Sequence, residues 1–170
     1  MSEIEKHLSS GLVFVPAVVF YLKHGNRVLL GLRKKVSLGL GENLIAGIGG
    51  KVGDSPEYRD ETPEEALVRE GLEEIGVTIR VYRRLGRVRF IYPHKPQWNQ
   101  DVLAYVIDEW EGEPQETEVI KPLWFDTGGL PTAKMWPDNA YWVPRILAGE
   151  YVDIVFLYDG GGKVVEHVGG

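Results

Sequence analysis

The sequence predicts an α+β fold in which a mixed β-sheet is sandwiched between α-helices. Strand-like segments stand on both sides of one strongly marked helix near the middle of the chain, and a second helix follows later. This order differs from a regular βαβ repeat. At 170 residues the chain has the size of one domain. We expect residues 11–170 to form that domain, after a flexible N-terminal tail over residues 1–10.

The marked helix is predicted to begin at Thr62. Thr62 and Glu65 have the spacing of a capping box, and Pro63 suits the first helical position. Gly76 suits the residue just past the last turn. The second helix is expected over residues 140–147.

Strands are predicted where Val, Ile, Phe and Tyr recur between turns that contain Gly or Pro. They cover residues 12–22, 27–32, 78–85, 88–92, 101–107, 121–125, 151–158 and 163–167. Residues 34–43 are polar and contain glycines, so we interpret them as a loop able to close over a ligand. Residues 109–118 are interpreted as an acidic connection.

The composition excludes several classes of function. Lys and Arg number 19 against 25 Asp and Glu, and the net charge of −6 argues against a nucleic-acid or membrane-surface partner. The absence of cysteine excludes disulfides and thiol nucleophiles. The N-terminus lacks the features of a signal peptide, and the longest apolar run is too short to span a bilayer. We therefore expect a cytoplasmic enzyme.

Three carboxylates share one face of the central helix, because Glu70, Glu73 and Glu74 have i, i+3 and i+4 spacing. Their repulsion favours a hard divalent cation with oxygen ligands, such as Mg²⁺. The alternative is an ordinary solvated acidic face. A Gly-Gly-Lys turn at residues 49–51 and Arg69 directly before the first Glu favour the metal interpretation.

This stretch resembles the Nudix box, G-x5-E-x7-R-E-U-x-E-E-x-G-U, in which U is a bulky apolar residue. The matching positions are Gly50, Glu61, Arg69, Glu70, Glu73, Glu74, Gly76 and Val77. The loop before the helix departs from the pattern, since residues 51–60 stand where five residues are usual. Gly71 also replaces the first U, which we expect to cost about 1 kcal/mol against Ala and to leave a small packing gap.

Residues 27–34, 47–52, 121–125 and 135–144 resemble the 8-oxo-dGTP diphosphatase branch of the family. The resemblance implies the Nudix fold, a Mg²⁺ cofactor (or Mn²⁺), and hydrolysis of oxidised purine nucleoside triphosphates to monophosphate and pyrophosphate. It implies that Glu70 and Glu74 are the main metal carboxylates. Glu73 would join the metal shell or its waters, and the Gly50 carbonyl would be a further ligand.

The same resemblance suggests roles for residues around the helix. Arg69 would orient a neighbouring Glu, with a plain helix ion pair as the alternative. Lys51 and Arg33 are candidates for binding phosphate, or are surface cations. The family often adds a carboxylate from the loop before the later strand. Its position falls on Val119 here, so Glu118 or Glu116 would have to take that catalytic role.

The base pocket is expected at Trp136, which would stack on a purine, with Asp138 and Asn139 at the base edge. Animal enzymes of the branch carry Asp at both of the last two positions, and such a pair shares a proton. Asn139 removes that requirement. The Asn that recognises the base in the family falls on Ala46, so the substrate is predicted from fewer matching residues than the reaction type.

Other functions remain open at the level of sequence. The substrate could be another nucleoside diphosphate derivative, such as ADP-ribose, a dinucleoside polyphosphate or a pterin triphosphate. A sensor that binds nucleotides without hydrolysis is a further alternative, although the complete set of Arg69 and three glutamates argues against it. The sequence fits a monomer or a homodimer equally well.

Overall fold

The computed structural model describes residues 1–34 and 44–170. The predicted ligand-closing loop lies outside these residues, except for Lys34. The helices are α1 (Glu3–Ser9), α2 (Pro63–Ile75) and α3 (Asn139–Leu147). The strands are β1 (Val15–His24), β2 (Arg27–Arg33), β3 (Ile45–Ala46), β4 (Ile48–Lys51), β5 (Thr78–Ile91), β6 (Gln100–Glu111), β7 (Ile120–Asp126), β8 (Val152–Tyr158) and β9 (Val164–Gly169).

The described strands form one mixed sheet in the order β3-β2-β1-β6-β5-β8-β9, while β4 pairs with β1 and β7 pairs with β2. The β1–β6 and β5–β8 pairs are parallel, and the other pairs are antiparallel. Because β1 lies between β6 on one side and β2 and β4 on the other, it joins the two halves of the sheet.

Each face of the sheet carries its own hydrophobic core, because side chains alternate along a strand. On one face, Phe20 of β1 packs with Leu67 and Ile75 of α2. On the other face, Tyr21 of β1 packs with Trp142 of α3. The sheet thus lies between α2 and α3, which confirms the predicted sandwich.

The prediction of a flexible tail over residues 1–10 is wrong. Residues Glu3–Ser9 form α1, which begins with a capping box between Ser2 and Glu5. Ile4 is fully buried and packs in one cluster with Ile91, Val155 and Leu157. Tertiary packing on β5 and β8, rather than helix length, explains why so short a helix is ordered.

The predicted strands are correct in place but differ in length. Strands β3 and β4 were not predicted, and the turn predicted at residues 49–51 is wrong, because these residues pair with β1 as part of β4. Residues 78–85 and 88–92 belong to one long strand, β5, whose pairing with β6 shifts between Arg84 and Gly86. The predicted acidic connection begins too early, because β6 continues to Glu111. Within the described residues, no helix combines the length and apolar character needed to cross a membrane.

Candidate active site

Helix α2 is fixed at both ends by local hydrogen bonds. Thr62 Oγ1 accepts from the Glu65 backbone N–H at 3.1 Å, and Glu65 Oε1 accepts from the Thr62 N–H at 3.1 Å. Gly76 takes the left-handed conformation at the C-terminus, with φ of 69°, which glycine adopts without strain. These ends set the register of the helix, and therefore the face that carries the three glutamates.

Strand β4 brings the backbone of Gly50 against the carboxylate of Glu70. Gly50 pairs with Val18 of β1, so its position in the sheet is fixed. A Cβ atom at Gly50 would lie 2.3 Å from Glu70 Oε1, so a larger residue here would force the carboxylate to move. Glycine at this position therefore allows the Glu70 carboxylate to lie directly against the β4 backbone.

Arg69 connects the glutamates of α2 to the loop before the helix. Its Nε and Nη2 donate to the two oxygens of Glu61 at 2.9 and 2.6 Å. Its Nη1 donates to Glu70 Oε1 at 2.9 Å and to Glu73 Oε2 at 3.0 Å, and Nη2 also donates to the Lys51 carbonyl at 3.1 Å. Arg69 thus contacts the buried Glu70 and also forms the helix ion pair with Glu73, so both contacts considered for it are present.

The Glu61 and Glu70 carboxylates have opposite electrostatic surroundings. The paired hydrogen bonds from Arg69, with a further one from the Gly53 N–H, hold the pKa of Glu61 below its usual range, against the effect of its burial. Glu70 is only 4% exposed, and burial raises its pKa to about 7. The positive charge of Arg69 opposes this shift, whereas the charges of Glu74 and Glu73 add to it. A positive charge beside Glu70 would therefore favour its ionised form.

At the predicted base pocket, the Asp138 carboxylate is buried and accepts three hydrogen bonds. The Tyr158 hydroxyl donates to one oxygen, while Trp142 Nε1 at 2.8 Å and Asn139 Nδ2 at 3.3 Å donate to the other. Burial raises the pKa of Asp138, and the bonds from Trp142 and Tyr158 oppose the shift. Asn139 also donates to the Trp136 carbonyl at 3.3 Å.

An aromatic cluster surrounds Trp136, which is half-buried. The ring of Tyr158 stacks on that of Tyr92, with centroids 5.1 Å apart, and the Trp136 ring meets Tyr158 edge-on at 5.4 Å. Trp98 forms a T-shaped contact with Tyr92, with ring centroids 5.8 Å apart. The predicted site residues did not include Tyr92, Tyr158 or Trp98, because their contacts join the ends of β5 and β8 to the loops beside them. The recurrence of aromatic residues at the ends of predicted strands was the available signal.

The model of the NUDIX domain family matches residues 13–146 of the chain. The chain belongs to the NUDIX family. The oxidized purine nucleoside triphosphate hydrolase of Danio rerio is 36% identical over 83% of this chain and 85% of its own. The 8-oxo-dGTP diphosphatase of Haemophilus influenzae is 36% identical over 51% of this chain and 62% of its own.

The fold of this Nudix hydrolase is also found among solved structures. The crystal structure of a MutT protein from Bacillus halodurans has a TM-score of 0.75 and covers 92% of this chain and 97% of its own. The sequence identity is 18%, so this likeness concerns the fold. The predicted Nudix fold, family and enzyme class are thus confirmed.

Nudix hydrolases generally use a divalent metal, and the residues on the glutamate face of α2 and in β4 fit such an ion. Within the described residues, no group of three or more acidic or histidine side chains is arranged to hold one, and Glu73 accepts a hydrogen bond from Arg69. The donors nevertheless suit a hard cation, because the Glu70 carboxylate and the Gly50 backbone lie together and only oxygens are offered. Glu74 is half-buried and close enough for its charge to act on Glu70.

The remaining predicted residues lie in β2, in β4 and in the segment before β7. Lys51 is exposed at the end of β4, and Arg33 is half-buried at the end of β2. Glu116 forms an exposed ion pair with Lys34. Glu118 is exposed in the segment before β7. The phosphate-binding roles of Lys51 and Arg33, and the catalytic role of Glu118, stay predictions.

Proposed function

We propose that this Nudix hydrolase cleaves oxidised purine nucleoside triphosphates, including 8-oxo-dGTP, to the monophosphate and pyrophosphate, with Mg²⁺ as its cofactor. The observation that carries the proposal is the buried carboxylate of Glu70, held by Arg69 against the backbone of Gly50. The substrate class is supported by the Danio rerio relative, an oxidized purine nucleoside triphosphate hydrolase that aligns with most of the chain.

The glutamate face would hold the cation through Glu70, Glu74 and the Gly50 carbonyl, with Glu73 able to join when its bond to Arg69 opens. When bound, Mg²⁺ neutralises phosphate oxygens and acidifies a water molecule for attack on phosphorus. Mn²⁺ would serve the same oxygen donors. Arg69 keeps Glu70 in orientation through its hydrogen bonds to Glu61 and Glu70. Because Glu70 is buried, bulk water is excluded from its carboxylate.

The nucleobase would stack on Trp136, at the aromatic cluster formed with Tyr92 and Tyr158. Asp138 and Asn139 would address the base edge, although both already bond within the protein. Ala46 lies in β3 and offers a methyl group where the family has an amide. Selection of the 8-oxo group would therefore depend on Asp138 and Asn139 more than it does in relatives with that Asn.

The proposal is tested by pyrophosphate release in Mg²⁺, comparing 8-oxo-dGTP with dGTP at matched concentrations. We expect faster hydrolysis of 8-oxo-dGTP. Glu70→Gln should lower kcat by about 10²-fold or more, because it removes a carboxylate from the cation site. Glu113→Gln, an exposed change of the same chemistry, is the matched control and should keep the parent rate.

Thermal unfolding of both variants shows whether each is folded. A folded Glu70→Gln variant with the parent kcat would contradict the proposed site. Hydrolysis of ADP-ribose, a dinucleoside polyphosphate or a pterin triphosphate in preference to both deoxynucleotides would contradict the proposed substrate. Nucleotide binding without turnover of any of these compounds would identify a sensor.

A further inference from the structure

The ten-residue segment 51–60, which is longer than the corresponding segment of the Nudix box, packs around Arg69. We infer that Tyr58 in this segment is a positioning residue, which holds the Arg69 guanidinium and, through it, the carboxylates of Glu61 and Glu70. The inference deepens the proposed function, on which its kinetic test rests.

Tyr58 covers one face of the Arg69 guanidinium. The Cζ atom of Arg69 lies 4.4 Å from the centroid of the Tyr58 ring, within the range of a cation–π contact. The Arg69 side chain is only 10% exposed. An aromatic ring on its face therefore restrains a charged group that is already largely removed from water.

The backbone around Tyr58 places the ring and Glu61 together. Residues Pro56–Tyr58 form a 3-10 turn in which the Tyr58 N–H donates to the Ser55 carbonyl at 3.0 Å. The Tyr58 carbonyl then accepts from the Glu61 N–H at 2.9 Å. The position of Tyr58 is thus tied to that of Glu61, which is the bidentate partner of Arg69.

Other groups of the same segment bind the edges of the guanidinium and of Glu61. The Lys51 carbonyl accepts from Arg69 Nη2 at 3.1 Å, and an Asp54 oxygen lies 3.8 Å from the same nitrogen. The Gly53 N–H donates to Glu61 Oε1 at 2.9 Å. Residues 51–60 therefore contact the edges of the Arg69 guanidinium through their backbone and Asp54, and one of its faces through Tyr58.

The face contact has a consequence for Glu70. A guanidinium is planar and donates in fixed directions, so its orientation decides which carboxylates it can bond. Arg69 donates hydrogen bonds to three carboxylates: Glu61, Glu70 and Glu73. With the ring in place, the guanidinium plane is held in the orientation in which it bonds both Glu61 and Glu70. Without the ring, Arg69 is free to rotate and exchange these partners.

The test compares Tyr58→Leu, which removes the ring, with Tyr58→Phe, which keeps it. Arg59→Leu is the control, since it adds the same side chain at an exposed position of the same segment. Pyrophosphate release on 8-oxo-dGTP gives kcat and KM. The hydrogen exchange of the Arg69 Nε–H, followed by ¹⁵N NMR without metal or nucleotide, gives a readout independent of activity. The signal is identified by its loss in Arg69→Lys.

We expect Tyr58→Leu to lower kcat by roughly 3- to 10-fold, with KM changed by less than about 2-fold, and to speed exchange of the Arg69 Nε–H. Tyr58→Phe should restore kcat to within about 2-fold of the parent and restore slow exchange, because the ring is sufficient for the contact. Arg59→Leu should match the parent in both measurements.

Three results would overturn the inference: parent-like exchange of Arg69 in Tyr58→Leu, equal losses in Tyr58→Phe and Tyr58→Leu, or the same losses in Arg59→Leu. Equal losses in the Phe variant would assign the effect to the hydroxyl, which lies 3.5 Å from Glu73 Oε1. If the parent hydrolyses none of the nucleotides, the proposed function fails, and the exchange of Arg69 still decides the role of Tyr58.

Discussion

At the scale of single residues, the neutral amide of Asn139 gives the buried Asp138 carboxylate a hydrogen-bond donor without adding a charge. Its Nδ2 donates to the buried Asp138 carboxylate, together with the Tyr158 hydroxyl and Trp142 Nε1. Even with these donors, burial raises the pKa of Asp138. A second carboxylate at position 139 would replace one donor with a negative charge, and two close carboxylates resist being ionised together.

We therefore predict that Asn139→Asp makes stability and catalysis more sensitive to pH. A carboxyl whose pKa is raised by folding stabilises the native state below its unfolded pKa, and this contribution is lost as pH rises through the folded pKa. The unfolding free energy of the variant, measured in urea between pH 5 and 8, should fall below that of the parent as pH rises. Its kcat/KM should fall on the alkaline side. Parent-like pH profiles for both quantities would contradict the prediction.

The residues of the site differ in how far sequence could identify them. Glu70, Glu73 and Glu74 were predicted because helical spacing places them on one face of α2, and Arg69 because its position matches the Nudix box. Tyr58 was not, because its contact with Arg69 depends on the path of a loop with no periodic pattern. The contacts of Asp138 depend on Tyr158 of β8, which lies twenty residues away in sequence. Pairings of this kind are set by the sheet, not by local propensity.

At the scale of secondary-structure elements, α2 shows both the strength and the limit of local signals. Its ends lie where the capping box and Gly76 predicted them, since caps are formed by residues adjacent in sequence. The packing gap expected beside Gly71 is not present. A Cβ atom at Gly71 would lie 2.7 Å from the Ile79 Cδ1, so β5 already fills this space. Nothing local to α2 could have shown this.

Restoring the apolar residue of the Nudix box at Gly71 should therefore destabilise this protein. We predict that Gly71→Ile lowers the unfolding free energy by about 1–3 kcal/mol, because it overpacks the space that Ile79 fills. Ile79→Ala alone should also lower the unfolding free energy. The double variant should lose less unfolding free energy than the sum of the losses in the two single variants. Urea unfolding of the four proteins gives this coupling. Additive effects, or a Gly71→Ile variant more stable than the parent, would contradict the prediction.

At the scale of the whole molecule, each face of the sheet supports one of the two predicted groups of site residues. The core under α2 supports the glutamates, and the core under α3 supports Asp138 and Trp136. Strand β1 contributes to both cores, through Phe20 on one face and Tyr21 on the other. The sandwich could be predicted because hydrophobic residues recur with different periods in strands and in helices. The order of strands could not, because it depends on pairings between segments that are distant in sequence.

Helix α1 was not predicted from sequence patterns, and it gives a test at the scale of the whole molecule. Ile4 is fully buried beside Ile91 and Leu157, and its backbone N–H lies 3.4 Å from Glu166 Oε1 of β9. We predict that Ile4→Ala lowers the unfolding free energy by about 2–5 kcal/mol, because it opens a cavity between α1 and the sheet. Val13→Ala, at a side chain 82% exposed, should change it by less than about 0.5 kcal/mol. Equal and small effects in urea unfolding would mean that α1 contributes little to the stability of the fold.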